Sequence, residues 1–290
     1  MSCLPISLQN TENSELLCCA ISTTQLNLVW ESDERLETGI SFVSRLRGAW
    51  GRELASMADT SDDAFLALSA FFPDKVYGKS RFGAPPPYRI VAWRGIDQTL
   101  NMQLKLIGFA GRWRRVAFDA FVNALASPPG LRVDYNSKIM TDLKLRRADW
   151  TRHEGVSIPE SGGKLVLDFH TPLRIGADTV LSSNFGNVIL SVAERAIALS
   201  PWLGLTYRAD LSRLRDVANA TNFNADEMQP ATWETWSTAN GRDKGAGYLG
   251  KLIIAAPTDE VIALLSAGTV LHAGGKPSKG FGHYQLFVEP

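Results

Sequence analysis

The apolar positions of this chain change period several times, and each change marks an element. Residues 15–30 (ELLCCAISTTQLNLVW) are dense in apolar and β-branched types, which predicts a strand. Leu46, Trp50, Leu54 and Met57 then recur at spacings of four, four and three, so one face of a helix over Arg45–Ala58 is apolar. PPPY at 85–88 breaks structure. Met102, Leu104 and Leu106 alternate with Gln103 and Lys105, the pattern of a half-buried strand. After GRWRR, the residues Phe118, Phe121, Val122 and Leu125 return to helical spacing. SPPG at 127–130 stops that helix, and 131–147 reads as strand again.

Residues 151–163 (TRHEGVSIPESGG) are polar, contain Gly and Pro, and read as a linker. Beyond them Leu165, Leu167 and Phe169 alternate with Val166, Asp168 and His170 as a strand. Phe185, Val188, Val192, Ala196 and Leu199 support a helix over 185–199, and AGYLGKLIIAA at 246–256 predicts another strand. Trp233 and Trp236 (WETW) sit at i, i+3, which favours core packing over a stacking surface. The last helix starts near Thr258, an N-cap type, with Asp259 and Glu260 in its first turn, and ends at Gly268. A glycine-rich loop and a strand over 283–289 follow. Each half thus reads as strand, helix, strands, helix, strand. That order predicts an α+β chain of two ferredoxin-like domains with antiparallel sheets. The first, 1–150, carries a helical insertion; the second, 151–290, carries the glycine-rich loop.

Composition agrees with this plan. A length of 290 residues suits two domains, and 45% apolar with 21% charged residues is ordinary for a globular core. No apolar run reaches the roughly 18–20 residues that span a bilayer. The start, MSCLPISLQNTENSE, lacks a charged n-region and a long apolar segment. Cys3, Cys18 and Cys19 are odd in number and two are adjacent, so neither a disulfide framework nor a metal site is indicated. The expectation is a cytoplasmic protein with reduced thiols, no membrane partner, no cofactor and no metal. Net charge is zero but segregated: residues 105–152 hold ten Lys/Arg against four Asp.

The loop His272–Tyr284, HAGGKPSKGFGHY, is the strongest local signal. It is not a Walker A loop: Gly275 and Gly280 are correctly spaced, but Phe281 stands at the lysine position and the loop follows a helix. A dinucleotide fingerprint also fails after Gly282. What remains is Gly274, Gly275, Gly280 and Gly282, able to bring N–H groups near phosphate oxygens, beside Lys276 and Lys279. Phe281, His283 and Tyr284 offer stacking surfaces for unpaired bases. The competing reading is a flexible connection with solvated lysines. Arg112, Arg114 and Arg115 open the second helix, where cations oppose the helix dipole and a bound anion would relieve the conflict.

Taken together, LLSAGTVLHAGGKPSKGFGHYQL resembles the C-terminal signature of the CRISPR-associated repeat-RNA endoribonucleases of class 1 systems. LRGAWG at Leu46–Gly51 resembles the L-R-G-x-x-G segment of that family, and FHTPLRI at 169–175 resembles the strand opening its second half. The three matches are in order, and the pattern looks most like the type IV variant. The resemblance implies two ferredoxin-like domains of the repeat-associated RNA-binding superfamily. It implies metal-independent cleavage of a repeat hairpin by 2′-OH attack, leaving a 2′,3′-cyclic phosphate. It also implies retention of the mature RNA alongside other effector-complex subunits.

The family often places a catalytic histidine in the N-terminal half. Here the histidines are His153, His170, His272 and His283, and none lies before residue 153. Arginine is the expected substitute, as a stabiliser of phosphorane charge rather than a base. Arg242, in ANGRDKGAGYLGK with Lys244 nearby, comes first; Arg45 and Arg47 come second. Arg242 reads equally as a turn residue paired with Asp243, and Arg45 and Arg47 read also as a solvated helix face. Either His272 or His283 can serve as proton donor to the leaving 5′-oxygen. Lys144, Arg146 and Arg147 would extend the basic surface of Arg112, Arg114 and Arg115 along a hairpin stem. Two rivals remain open: a non-catalytic RNA-binding subunit of the same superfamily, and an unrelated protein holding a small anion in the glycine loop.

Overall fold

A computed structural model describes residues 9–31, 39–78, 85–95, 97, 99–126, 144–175, 184–237 and 241–289, with the side chains of Gln9, Ala126, 235–237 and 241–243 excepted. The chain opens with β1 (Gln9–Thr11) and α1 (Ser14–Ala20). Then follow β2 (Ser22–Glu31), α2 (Ile40–Ala58), α3 (Asp62–Phe71), α4 (Pro73–Tyr77), β3 (Tyr88–Arg94) and β4 (Leu100–Ile107). A 3-10 turn, Gly108–Trp113, leads into α5 (Arg114–Ala126), and β5 (Lys144–Glu154) closes the first half. Its sheet runs β3-β4-β2-β5 with every neighbour antiparallel. With the strands counted in chain order this is 4-1-3-2, the ferredoxin-like arrangement.

The alternation seen in the sequence decides which face is covered. Leu26, Leu28 and Trp30 of β2 lie beside Leu104, Met102 and Leu100 of β4, all buried under α2, α3 and α5. Trp50 of α2 sits at the centre, its ring 5.2, 5.1, 4.9 and 5.8 Å from those of Phe71, Phe72, Tyr88 and Phe121. Its Nε1 donates to the Ala117 carbonyl at 3.1 Å, so the one polar atom of the indole is satisfied. Gln25, Asn27, Asn101, Gln103 and Lys105 face the other way and are half-buried.

The second half repeats the plan. It comprises β6 (Lys164–Leu173), α6 (Asn187–Leu199), β7 (Leu205–Tyr207), α7 (Leu211–Ala220), β8 (Asn222–Asn224), β9 (Met228–Ser237), β10 (Gly241–Ala255), α8 (Asp259–Leu271) and β11 (Tyr284–Glu289). The sheet order is β11-β6-β10-β8, and β9 forms a long antiparallel hairpin with β10. Among the described residues no helix is long and apolar enough to cross a membrane.

Three sequence expectations need correction here. Residues 15–30 are not one strand. Asn13 accepts hydrogen bonds from the N–H groups of Glu15 and Leu16 and caps a helix over Ser14–Ala20, so the strand begins only at Ser22. That helix packs on α8 in the second core, where Leu17 and Ile21 are buried and Cys18 Sγ donates to the Ala263 carbonyl at 3.1 Å. The last helix does not stop at Gly268 but continues to Leu271. Gly268 lies inside it because a Cβ would overlap the Tyr284 hydroxyl, which crosses there to donate to the Leu265 carbonyl at 2.5 Å. The expected strand over 131–147 falls mostly outside the described residues, and the expected linker begins late, since β5 runs to Glu154.

Candidate functional site

Thr258 caps α8 as its residue type suggested, accepting from the Val261 N–H at 3.4 Å. The helix aims its C-terminal carbonyls at the glycine loop, and two arginines from distant elements meet them. Arg195 of α6 donates Nη1 to the Leu271 carbonyl at 3.3 Å and to that of His272, and Nη2 to the carbonyl of Gly274. Arg89 of β3 donates Nε to the Leu271 carbonyl at 2.9 Å and Nη1 to the Pro86 carbonyl at 3.0 Å. Guanidinium cations at the negative end of a helix dipole are favourably placed. Both are buried, and burial lowers both pKa values, that of Arg195 to about 10. Neither was foreseen as a site residue. Arg89 also ties the first half of the chain to the loop of the second.

The loop is folded, not a flexible connection. Its glycine N–H groups are taken within the protein. Gly274 donates to Ser191 Oγ at 2.8 Å, Gly275 to the Arg174 carbonyl at 2.9 Å, Gly280 to the Pro277 carbonyl at 3.0 Å and Gly282 to the Pro172 carbonyl at 3.0 Å. The expectation that these four N–H groups would meet phosphate is therefore corrected: the glycines act through shape. Gly274 and Gly282 adopt φ of +68° and +66°, and a Cβ on either would overlap a backbone carbonyl, that of Arg174 or of Ala273. Phe281 and Tyr284 are each 1% exposed, so they are core residues and not platforms for bases. Phe281 packs edge-on against Trp233 of β9 at 4.6 Å. The half-buried residues of the loop are Gly275, Lys276, Ser278, Lys279 and His283.

The histidines change meaning as well. His272 is 1% exposed with Nδ1 3.1 Å from the Phe281 carbonyl, and burial holds its pKa well below the ordinary value. It cannot reach a leaving group. The His283 ring lies 5.0 Å from that of His272 and 5.9 Å from that of His170. Burial, then Lys105 and His170, bring His283 down to about 4, so it is neutral at pH 7. Lys105 stands opposite Arg89 across β3 and β4, and burial followed by Arg89 lowers its amine to about 8. His170 is exposed, and His153 lies on the exposed strand β5.

Three basic segments converge beside the loop. Arg47 of α2 donates Nε to the Tyr88 hydroxyl at 2.6 Å, and its guanidinium stacks 5.0 Å from the Phe72 ring centroid. Ser278 of the loop hydrogen-bonds the same hydroxyl. Arg47, Tyr88 and Ser278 thus link α2 to the loop with the guanidinium held by packing. The β9–β10 hairpin leans on α2, where Ser41 Oγ donates to the Glu234 carbonyl. Arg45 lies one turn beyond Ser41 and is half-buried. Across the hairpin, Lys244 pairs with Glu234 and Arg242 with Trp236. Lys244 is exposed, and the side chains of Arg242 and Trp236 lie outside the described residues. Lys75 of α4 joins the same basic group, its amine lowered by burial and by Arg52 and Arg47. A cleft of about 650 Å³ also opens beside the loop, lined by Arg174, Asn187, Glu194, Arg215 and Gly275 among others.

The remaining cations do not form one surface. Arg112 and Arg114 stand at the Thr24 end of the N-terminal sheet beside exposed Arg115, whereas Lys144 pairs with Glu31 at the opposite end. Seven or eight strand residues separate the ends, about 25 Å. Arg146 is bound to Glu31 at 2.8 Å and Arg147 to Asp149 at 2.6 Å, so part of this charge is already matched.

No protein-family model matches the sequence, and no curated protein matches it either. Solved structures do. A Cas6 product complex superposes with a TM-score of 0.54 at 17% identity, over 92% of this chain and 99% of that one. A second Cas6 product complex gives 0.55 at 12% identity, with 92% and 99% covered. A Thermus thermophilus Cas6 gives 0.52 at 13% identity over the same shares. The chain, over the 92% that these structures cover, therefore has the Cas6-like fold of paired ferredoxin-like domains.

Proposed function

We propose that this chain is a metal-independent endoribonuclease that binds the hairpin of a CRISPR repeat transcript and cuts it once. The observation that carries this is the convergence of α2, the β9–β10 hairpin and the glycine loop in a chain of Cas6-like fold. Each of the three segments carries cations, and two Cas6 structures of this fold are product complexes.

The 2′-OH attacks the adjacent phosphorus and gives its proton to solvent; the O2′–P bond forms, the P–O5′ bond breaks and the departing O5′ takes a proton from solvent. The products are a 2′,3′-cyclic phosphate and a 5′-OH. Arg242, Arg45 and Arg47 stabilise the phosphorane and hold the phosphate in line. Arg47, stacked and hydrogen-bonded, needs no reorganisation to do so. Lys244, Lys276 and Lys279 neutralise neighbouring phosphates. Mature RNA stays bound as part of an effector complex, as in the type IV systems that the sequence resembles.

The test is a labelled repeat hairpin incubated in excess EDTA, beside a copy with a 2′-deoxy sugar at the cut nucleotide. One discrete cut, abolished by the deoxy sugar, is expected. Arg242→Ala should then lose cleavage and keep binding; full-rate cleavage would remove Arg242 from the site. A second reading, a non-catalytic RNA-binding subunit, draws on the buried His272 and the neutral His283. Tight binding with no cut would favour it.

A further inference from the structure

The N-terminal half carries a second cavity, lined by none of the residues assigned to the cleavage step. The 3-10 turn before α5 lies hard against β2, because Gly111 has no Cβ to collide with the Thr24 hydroxyl. Thr24 pairs with Arg152 of the edge strand β5, and Leu26 with Trp150. Where α5 begins, the helix layer stops and these residues are left as the floor of a cavity of about 450 Å³. That is within the roughly 300–1,000 Å³ of small-ligand sites.

Its lining is unusual in two respects. Every charged side chain on it is an arginine: Arg112, Arg114 and Arg152. Two aromatics stand open to it, Phe109 at 51% and Trp150 at 36% exposure. Trp150 is braced from one side by Phe118, with ring centroids 6.3 Å apart. Arg152 also meets Glu154 at 2.5 Å, but with 76% and 61% of the two side chains exposed this pair is weak. Like charges gathered in one cavity repel, and exposed rings are unfavourably hydrated. A ligand that is both anionic and flat relieves both at once. Paired bases in a duplex stem present no free face, so a stem reaches such a site with phosphates alone.

We propose that this cavity holds an unpaired nucleotide of RNA flanking the hairpin, its base on Phe109 and Trp150 and its phosphates on the three arginines. The inference rests on the repeat-RNA reading above and names a second contact for the same substrate. Sequence readout there is weak, since stacking tolerates every base.

The test measures fluorescence anisotropy of two labelled RNAs, a bare repeat hairpin and the same hairpin with a short unpaired extension. Wild-type protein should bind the extended RNA on the order of tenfold more tightly. Phe109→Ala and Arg152→Gln, both at exposed positions, should each remove most of that gain and leave affinity for the bare hairpin within about twofold. Equal affinity for both RNAs in wild type and variants overturns the cavity inference alone and leaves the repeat-RNA reading standing. Failure to bind either RNA overturns both.

Discussion

Replacing Arg195 by methionine removes a buried guanidinium while keeping most of its length. Three carbonyls lose a donor, those of Leu271, His272 and Gly274; only Leu271 retains Arg89, at 2.9 Å. Hydrogen bonds from a charged donor contribute about 1.5–3 kcal/mol each, so the gross loss is about 4.5–9 kcal/mol. Against this, the guanidinium sits near a pKa of 10 instead of 12.5, so its burial costs about 3 kcal/mol that methionine regains. The net expectation is a destabilisation of about 3 kcal/mol. At about 2–4 °C per kcal/mol for a chain of this size, the melting temperature should fall by about 6–12 °C. Circular dichroism melts give the stability, and hairpin binding by the same variant reports whether the glycine loop stays in place. Arg195→Lys should recover part of the loss, because a single ammonium reaches only some of the carbonyls. A methionine variant that melts with wild type and binds RNA equally would refute the role assigned to this residue.

Gly282→Ala should weaken hairpin binding and lower the melting temperature, because a φ of +66° costs alanine about 1–2 kcal/mol before the overlap with the Ala273 carbonyl is counted. Gly48→Ala is its control, with only Arg52 Nη1 at 4.0 Å from the new Cβ, and should stabilise α2 by up to about 1 kcal/mol. The Lys276→Ala/Lys279→Ala double variant should reduce the slope of log affinity against log salt by about 0.7–0.9 for each phosphate no longer neutralised; an unchanged slope in titrations across salt would take these lysines off the RNA path. Stability should also fall as pH drops from about 6.5 to 4. His283 resists protonation in the fold down to about 4, while the unfolded chain takes up the proton near 6.5, a difference of about 3 kcal/mol. His272 acts with the same sign, and burial, followed by Lys105 and His170, holds His283 neutral. Urea titrations at pH 7, 5 and 4 would show a flatter profile for His283→Gln; parallel profiles would count against the buried neutral histidine.

Local periodicity made the architecture legible. Leu46, Trp50 and Leu54 on one helical face, and Met102, Leu104 and Leu106 on one strand face, are buried as their spacing requires. The order of such elements in each half leads directly to two ferredoxin-like sheets. The errors arose where a local signal had a distant partner. Glu15–Ala20 is apolar enough to pass for strand, but Asn13 supplies a cap and α8 a surface to lie on. Gly268 has the look of a helix stop, yet it makes room for a tyrosine hydroxyl sixteen positions later.

For the site, the sequence by itself determined that a glycine-rich, basic loop follows the last helix and that no histidine lies before residue 153. It could not assign the loop's N–H groups, because Pro172, Arg174 and Ser191, which take or share them, lie about a hundred residues away. Nor could it show Arg89 and Arg195 beneath the loop, since an arginine in a strand or helix carries no mark of the carbonyl it will meet. Burial and backbone hydrogen bonding are settled between segments far apart in the chain. The tertiary structure alone therefore decided which glycines shape the loop and which histidines stay neutral.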